Sequence, residues 1–465
     1  MEERKKMNNE TEVELKDIGL KKIGKFAIPS IIGIFLFLFP IFDEGSVNIP
    51  LGYIINYLKE LTVSFGYQMI YGVIVISALT TIINRIFKFG FIQNNKYLKN
   101  IFEVKIIGLI IRTLALIFTL LLIFKPDLEI TALIVNPNTG ELAMSLMFTI
   151  FVTFFITCYT IPLISDYGIM DFTGIVFRGF TYPLFTIPGR STVDLVTSWI
   201  GGNSTGILIT IRQYVTGYYN AREATIISTM FSVVSLPFCL VIANTLGVGD
   251  LFLPFYGILV ITGIITTIIM VRIPPLRNFK DYTYKDQVYQ TNEIAPDGIN
   301  KYKWALKKSI NNAQEGGNIL DIIKNGTKTY VDLFLTLAPT ILTIAIISLV
   351  VSEYTPIFSI ISKPMGYYLT LLGVPEAFDA ASATLIGFAD MFLPAIVASS
   401  IVSVKTRFII GVLSLVQIVY LSEMGAVLLG SQIPVDIKDL GIIFIEKTLI
   451  ALPIIVLLTN ILGIV

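Results

Sequence analysis

Several stretches of this chain are long, apolar and nearly free of charge, and they limit the folds that it can adopt. Residues 106–124 contain one charged side chain, and residues 142–164 contain none. A helix needs roughly 20 apolar residues to cross a bilayer. Across 465 residues only 14% are charged, against roughly 25% in soluble domains. The sequence therefore predicts an all-α, polytopic membrane protein with the lipid bilayer as its surroundings.

Missing and scarce residue types exclude several functions. The chain contains no histidine, which removes histidine metal sites, histidine proton relays and Ser-His-Asp hydrolysis. Cys158 and Cys239 fall inside predicted spans without CxxC spacing and are interpreted as packing residues. The net charge of +1 and the lack of a clustered basic face argue against nucleic acid. We predict no enzyme, no catalytic residue, no cofactor, and no metal other than sodium.

Lysine and arginine are concentrated in polar segments, and their positions predict the orientation. Residues 1–25 are predicted to form a tail and residues 26–141 the N-terminal transmembrane helices. The long hydrophilic loop 273–328 is rich in lysine, so the positive-inside rule places it and the N-terminus in the cytoplasm. The expected location is the cytoplasmic membrane. Within the loop, residues 301–323 are predicted to form a basic amphipathic helix on the membrane or a partner, with a solvated linker as the alternative.

Residues 142–272 and 329–465 show the same predicted order of elements. Each contains a span, an interfacial segment, an interrupted stretch and two further spans. The interrupted stretches are residues 190–217 and 376–402. One additional crossing separates them, so they are expected to open on opposite sides of the membrane. The sequence therefore predicts two inverted repeats, each with a re-entrant helical hairpin whose tip lies near the bilayer midplane.

Glycine interrupts both stretches, and lipid cannot satisfy the backbone groups that an interruption exposes. The predicted breaks are at Gly201, Gly202, Gly206 and Gly387. Two alternatives stay open at this point. The first stretch is also compatible with an ordinary turn outside the membrane, capped by Asn203 or Ser204. The second is also compatible with one continuous helix.

Polar side chains cluster around the predicted tips, where amides and hydroxyls suit a polar solute and oxygen ligands suit Na⁺. An aromatic ring suits stacking on a flat ring. The candidate residues here are Asp194, Ser198, Trp199, Asn203, Ser204, Thr205, Thr384 and Asp390. Arg190, at the start of the first stretch, is predicted to be an interfacial anchor.

Glu423 is the ionisable residue of a predicted span that we select as a binding candidate, because burying such groups in a membrane is costly. Gln417 is a candidate in the same predicted helix. Helical spacing would put Gln417, Tyr420 and Met424 on one face. Glu423 is predicted to bind a coupling cation or a proton. The alternative is a glutamate near the cytoplasmic end of its span, paired with an arginine or lysine.

Residues 192–237 read TVDLVTSWIGGNSTGILITIRQYVTGYYNAREATIISTMFSVVSLP. This stretch resembles the nucleoside-recognition or Gate domain, and the chain from about residue 142 onward resembles the YjiH-type family. Gate domains also occur in concentrative nucleoside transporters, FeoB-type iron transporters and spore-maturation proteins. The resemblance implies paired hairpins that move a small, nucleoside-like solute. It carries over to Asp194, Ser198, Gly201, Gly202, Asn203 and Thr205.

The chain departs from the FeoB-type proteins because it has no GxxxxGK[ST] phosphate loop, which makes iron transport a poor interpretation. The leading hypothesis is a transporter or permease for a small polar solute, coupled to Na⁺ or H⁺. The alternative is an accessory or assembly protein, like the spore-maturation proteins, that acts with a partner membrane protein. A second copy of the chain is a further expected partner.

Overall fold

The computed structural model of the protein describes residues 19–43, 46–201, 203–231, 236–296 and 299–464. Gly202 and most of the predicted N-terminal tail lie outside the described residues. The N-terminal part consists of α1 (Leu20–Leu38), β1 (Ile41–Asp43), β2 (Ser46–Asn48), α2 (Pro50–Phe87), α3 (Gly90–Gln93), α4 (Lys96–Phe102), α5 (Ile106–Phe124) and α6 (Glu129–Ile134). Strands β1 and β2 form a small antiparallel ribbon.

The remaining elements form two runs separated by a polar loop. The first run is α7 (Gly140–Ser165), α8 (Ile169–Phe185), α9 (Ser191–Gly201), α10 (Asn203–Val215), α11 (Ala221–Met230), α12 (Leu236–Thr245) and α13 (Phe252–Met270). The loop contains α14 (Lys301–Asn312). The second run is α15 (Ile319–Tyr354), α16 (Ile357–Ile361), α17 (Lys363–Leu371), α18 (Ala377–Ile386), α19 (Leu393–Ala398), α20 (Val404–Gln417), α21 (Met424–Gly430) and α22 (Ile437–Ile461). Short 3₁₀ turns lie at Gly249–Leu251, Leu276–Asn278, Tyr284–Asp286 and Ala313–Glu315.

Six segments of the described chain are long and apolar enough to cross a membrane. They are Pro50–Phe87, Ile106–Phe124, Gly140–Ser165, Gly249–Met270, Ile319–Tyr354 and Ile437–Ile461. Their outward faces carry large apolar side chains, such as Ile107 and Phe124 of α5, which are both 73% exposed. Exposed apolar area of this extent requires lipid rather than water. The predicted helical, multi-pass membrane protein is confirmed.

Local sequence signals explain where the long helices begin. Asn318 and Asp436 start α15 and α22 with reciprocal capping boxes, in which each side chain accepts a backbone N–H of the first turn. Pro50 is at the first position of α2, where its missing N–H is harmless. The apolar residues that follow then bury one face of each helix against its neighbours.

The hydropathy of the sequence predicts an interfacial or re-entrant helix at residues 49–65 and single spans at residues 224–246 and 408–430, and the structure differs at all three. Residues 49–65 do not form a separate interfacial segment, because α2 continues without a break from Pro50 to Phe87. Within the predicted span 224–246, α11 ends at Met230 and α12 begins at Leu236, with residues 232–235 outside the described part of the chain. The predicted span 408–430 is divided between α20 and α21. In both runs the interrupted helix is therefore the last but one.

The two runs pack against each other through equivalent elements. Helix α7 packs on α15, with the rings of Phe151 and Phe334 4.7 Å apart and edge to face. Helix α13 packs on α22, and both contact α20. The second helix of each interrupted pair crosses to the other run. Thus α10 contacts α21, and α19 contacts α12, where Phe238 lies near Phe392 with ring centres 6.0 Å apart.

Candidate functional site

The first interrupted stretch is a pair of antiparallel helices in tight contact. A β-carbon placed on Gly206 of α10 would lie 1.7 Å from Ser198 Oγ of α9. Further from the turn, Thr210 Oγ1 donates a hydrogen bond of 2.9 Å to Asp194 Oδ1. Because residue 198 faces 206 and residue 194 faces 210, the end of α9 at Gly201 and the start of α10 at Asn203 form the tip of this pair.

The second interrupted stretch is not one continuous helix, so that alternative is wrong. Helix α18 ends at Ile386 and α19 begins at Leu393. Asp390 in the interruption accepts a hydrogen bond of 2.8 Å from Phe392 N. A β-carbon on Gly387 would lie 2.5 Å from Gln417 Oε1, so glycine allows this tip to approach the end of α20.

A third interruption, which we did not predict, lies at residues 418–423. Helix α20 ends at Gln417, and Ile418 has a φ of 50°, a left-handed conformation that is strained for a β-branched residue. The predicted helical face of Gln417, Tyr420 and Met424 is therefore wrong. Two backbone hydrogen bonds hold the interruption against the second tip, from Leu421 N to Phe388 O (2.8 Å) and from Ser422 N to Ala389 O (2.9 Å).

These three interruptions bring six polar side chains together, and we call them the tip cluster. Its members are Asn203, Ser204, Asp390, Tyr420, Ser422 and Glu423. Asn203 Nδ2 donates to the Tyr420 hydroxyl, and Ser204 Oγ donates to Glu423 Oε1. Tyr420 OH donates to Glu423 Oε2 at 3.1 Å, and Ser422 Oγ donates to Asp390 Oδ2. Residues 418–423 therefore connect the two tips.

The tip cluster carries two acids without an adjacent base. Asp390 is 5% exposed and Glu423 is 7% exposed. Among the described residues, no lysine or arginine nitrogen lies within 4.0 Å of either carboxylate. Lys59 of α2 acts on Glu423 only at longer range. The alternative that pairs Glu423 with a basic residue does not hold here. Buried carboxylates without a base need a bound cation, a proton or a hydrogen-bonding solute.

The other predicted site residues lie outside the tip cluster. Asp194 is in the body of the first pair, where it also accepts a 2.6 Å bond from Tyr219 OH. Trp199 packs half-buried against the core, and Thr205 is buried. Gln417 Nε2 donates to Thr384 O at 2.7 Å, which joins α20 to α18. Ser198 and Gly206 hold the first pair together, and α9 ends at Gly201.

Arg190 is not an interfacial anchor, because only 1% of it is exposed. Its guanidinium lies 3.7 Å from the centre of the Tyr218 ring, and its Nη1 lies 3.5 Å from Asp171 Oδ1. Glu293, from the polar loop, accepts hydrogen bonds from Gly189 N (2.6 Å) and Arg190 N (2.8 Å). A buried ion pair therefore fixes the start of α9.

The polar loop lies along the base of the first helix pair. Ala221 N donates to Tyr282 O at 2.8 Å, and Gln290 N donates to Gly217 O at 3.0 Å. The predicted basic helix is confirmed only over Lys301–Asn312. Its apolar side packs on α8 and α1 of the same chain. The solvated-linker alternative is wrong for these residues, and contact of the outer side of this helix with the membrane or a partner stays a prediction.

The environment of Glu293 predicts a pH dependence of stability. Burial raises the pKa of Glu293 above the ordinary value of 4.5, against the opposing effect of the N–H groups of Arg190 and Gly189. The folded protein therefore keeps this proton to higher pH than the unfolded chain does. The free energy of unfolding should fall as pH rises from about 4.5 through the raised pKa, by at most about 1.4 kcal/mol per pH unit.

The measurement compares thermal denaturation of the wild type and Glu293→Gln across this pH range in detergent. Because glutamine does not titrate, the variant should show a flatter pH dependence than the wild type. Equal slopes for the two proteins would contradict this assignment.

A cavity of about 470 Å³ lies beside the first helix pair, between α7, α10 and α15. Its polar lining includes Arg212, Lys328, Asp332 and Gln432. Leu208, one turn after Ser204 on α10, also lines it. The cavity thus extends along the same helix that carries half of the first tip.

Two functional candidates were not selected from the sequence. Tyr420 was in a stretch read as plain helix, and no glycine or proline marks the interruption there. Lys447 of α22 is 1% exposed, although its position in a predicted span was a usable signal.

The fold and the site define a multi-pass helical membrane protein in which interrupted helices surround a buried polar cluster. Residues 147–249, which contain α9, α10 and the first tip, match the Gate family, described as nucleoside recognition. An uncharacterized protein of Alkalihalophilus pseudofirmus is 37% identical over 438 residues, which cover 94% of each chain. The chain belongs to the same family as this protein and contains a Gate domain. No solved structure matches.

Proposed function

We propose that the protein is a YjiH-type secondary transporter of the cytoplasmic membrane for a small polar, nucleoside-like solute, driven by a Na⁺ or H⁺ gradient. The tip cluster carries this proposal. It offers carboxylates, an amide and hydroxyls in a buried place where hydrocarbon would leave them unsatisfied. Such groups bind the hydroxyl and N–H groups of a nucleoside, and the carboxylates also suit a monovalent cation.

A two-fold internal repeat, which the predicted sidedness makes an inverted one, is supported by reciprocal contacts. Both runs contain a long helix, one or two short helices, an interrupted pair, an interrupted helix and a final long helix. Helix α10 contacts α21 just as α19 contacts α12. A two-fold axis produces contacts of this kind, because each partner then presents the same surface to the other. The proposed repeats are residues 142–272 and 329–465.

Helix length supports hairpins that enter the membrane and return. Helices α9 and α10 contain 11 and 13 residues, which gives about 17 and 20 Å at the usual rise. The hydrocarbon core is about 30 Å thick. A pair of this length reaches the interior and stops there. The tip cluster would then be near the midplane, as in transporters built from broken helices.

Transport would proceed by alternating access. The solute enters the tip cluster from one side, and the hairpins then move relative to the long helices and open the other side. The cavity beside α10 would be the cytoplasmic path, since Lys328 lies in the N-terminal part of α15, which directly follows the loop that the positive-inside rule places in the cytoplasm. The accessory-protein alternative has less support, because the apolar side of α14 packs on its own chain.

Uptake by proteoliposomes tests the proposal. The purified protein should take up at least one solute from a panel of labelled nucleosides and nucleobases, with saturation, when an inward Na⁺ or H⁺ gradient is imposed. Empty liposomes and protein-containing liposomes without a gradient are the controls. Failure of every solute under both gradients would overturn the proposal.

A further inference from the structure

Lys447 is a buried base near the middle of α22, a helix long enough to cross a membrane. It follows the start of α22 at Ile437 by ten residues, a rise of about 15 Å and so about half of the hydrocarbon core. Its Nζ donates one hydrogen bond, of 2.8 Å, to Thr229 O. Within the described part of the chain, no carboxylate lies within 4.0 Å of it. A permanent ammonium in such a place is costly, because one carbonyl does not replace its hydration.

Thr229 lies in the last turn of α11, which ends at Met230. The carbonyls in the last turn of a helix carry the negative end of the helix dipole. A charged Lys447 therefore attracts the end of the interrupted helix. A neutral amine keeps a weak hydrogen bond and loses the attraction between charge and dipole.

The next residue of α22 makes the equivalent connection to the second run. Gln417 Nε2, at the end of α20, donates to Thr448 Oγ1 at 2.6 Å and to Thr384 O at 2.7 Å. Residues 447 and 448 thus contact the ends of both interrupted helices. Through Gln417 they also connect to the second helix pair. A change of charge at Lys447 therefore acts where α22 contacts α11, α20 and, through Gln417, the second helix pair.

The titratable groups on neighbouring elements lie elsewhere. On the elements packed around this part of α22 they are Lys405 and Arg407 at the start of α20, Tyr256 of α13, Arg222 and Glu223 at the start of α11, and Lys363, Tyr367 and Tyr368 of α17. Asp390, Tyr420 and Glu423 of the tip cluster belong to the segments that contact α22 through Phe388 and Gln417. Glu446 lies on another side of α22, where it lines an apolar groove together with Lys438. No described group is therefore placed to hold a permanent charge on Lys447.

We propose that Lys447 binds and releases the proton that couples transport to the proton gradient. This inference rests on the proposed transport function and deepens it, because it assigns H⁺ to a site outside the tip cluster. The step is a simple protonation, in which the amine gains a proton from one side of the membrane and loses it to the other. Solute binding remains at the tips.

A comparison of gradient-driven accumulation with solute exchange separates proton coupling from solute binding. In sodium-free proteoliposomes with labelled uridine as the probe, the wild type should accumulate uridine under an inward pH gradient. Lys447→Met and Lys447→Arg, fixed as neutral and charged, should lose this accumulation and keep exchange of labelled for unlabelled uridine. Lys438→Met, an exposed lysine on the same helix, is the matched control. Accumulation that persists in both Lys447 variants would overturn the inference.

A direct measurement does not depend on the solute. The ¹⁵Nζ resonance of Lys447 in lysine-labelled protein, assigned by its loss in Lys447→Arg, should change from that of an ammonium to that of a neutral amine over the pH range in which transport is measured. A lysine that only caps α11 would stay charged throughout, which would refute the proton role. If the resonance titrates but uridine neither accumulates nor exchanges, the choice of solute fails and Lys447 stands.

Discussion

Glu423→Gln is expected to lose solute uptake while the protein stays folded. Glutamine keeps the volume and can still accept from Ser204 and bond to Tyr420, so the tips remain connected. The variant removes the charge that strengthens hydrogen bonds to a solute. Such bonds are worth roughly 1.5–3 kcal/mol. The apparent affinity should therefore fall by about 10- to 100-fold.

The experiment measures the concentration dependence of uptake for both proteins at matched reconstitution levels. Glu446→Gln is the control, because it makes the same change on α22 within the apolar groove and outside the tip cluster. Unchanged affinity in Glu423→Gln would remove the tip cluster from the binding site.

Gly206→Ala is expected to lower the thermal stability of the protein and to disturb the first tip. Its new β-carbon would lie 1.7 Å from Ser198 Oγ and 2.9 Å from Ser198 Cβ, so α9 and α10 must separate. Overpacking of this kind costs typically about 1–3 kcal/mol. Denaturation of the detergent-solubilised protein, followed by fluorescence on heating, measures the loss.

A second substitution distinguishes this clash from a general effect of alanine. In Ser198→Gly/Gly206→Ala the nearest remaining Ser198 atom is its Cα, 3.3 Å away, so stability should largely return. Gly257→Ala in α13 has open space around its β-carbon and should be neutral or stabilising by up to about 1 kcal/mol. A Gly206→Ala protein as stable as Gly257→Ala would show that the helices are not in close contact.

The architecture could be predicted from the sequence because a membrane requires long apolar helices. Backbone groups without hydrogen-bond partners are costly in lipid, so interruptions are confined to few places. Runs such as Ile106–Phe124 have no soluble alternative, and glycines mark the first two interruptions. The third interruption left no such mark. Ile418 takes a positive φ because the backbone of residues 421 and 422 pairs with the second tip, a contact between distant residues. Local sequence propensities contain no information about such a contact.

The site was predicted in part for the same reason. Four of the predicted site residues meet because they lie at helix interruptions: Asn203, Ser204, Asp390 and Glu423. A drop in hydropathy, or a nearby polar residue along the chain, indicates such positions in the sequence. Asp194 was grouped with them by closeness along the chain. In an antiparallel pair, however, residues far from the turn lie far from the tip, and the Thr210 contact places Asp194 there. Lys447 was overlooked because one charge hardly changes the mean hydropathy of a long apolar helix.

The composition of the tip cluster has a consequence for how this protein can diverge. The region that matches the Gate family supplies Asn203 and Ser204, while Asp390, Tyr420, Ser422 and Glu423 come from sequence beyond it. A change of solute preference in one half is then useful only if the other half accommodates it. Positions 203 and 420 should therefore covary among homologues, and so should positions 204 and 423. A chimera in which one half comes from a distant homologue should be inactive in transport.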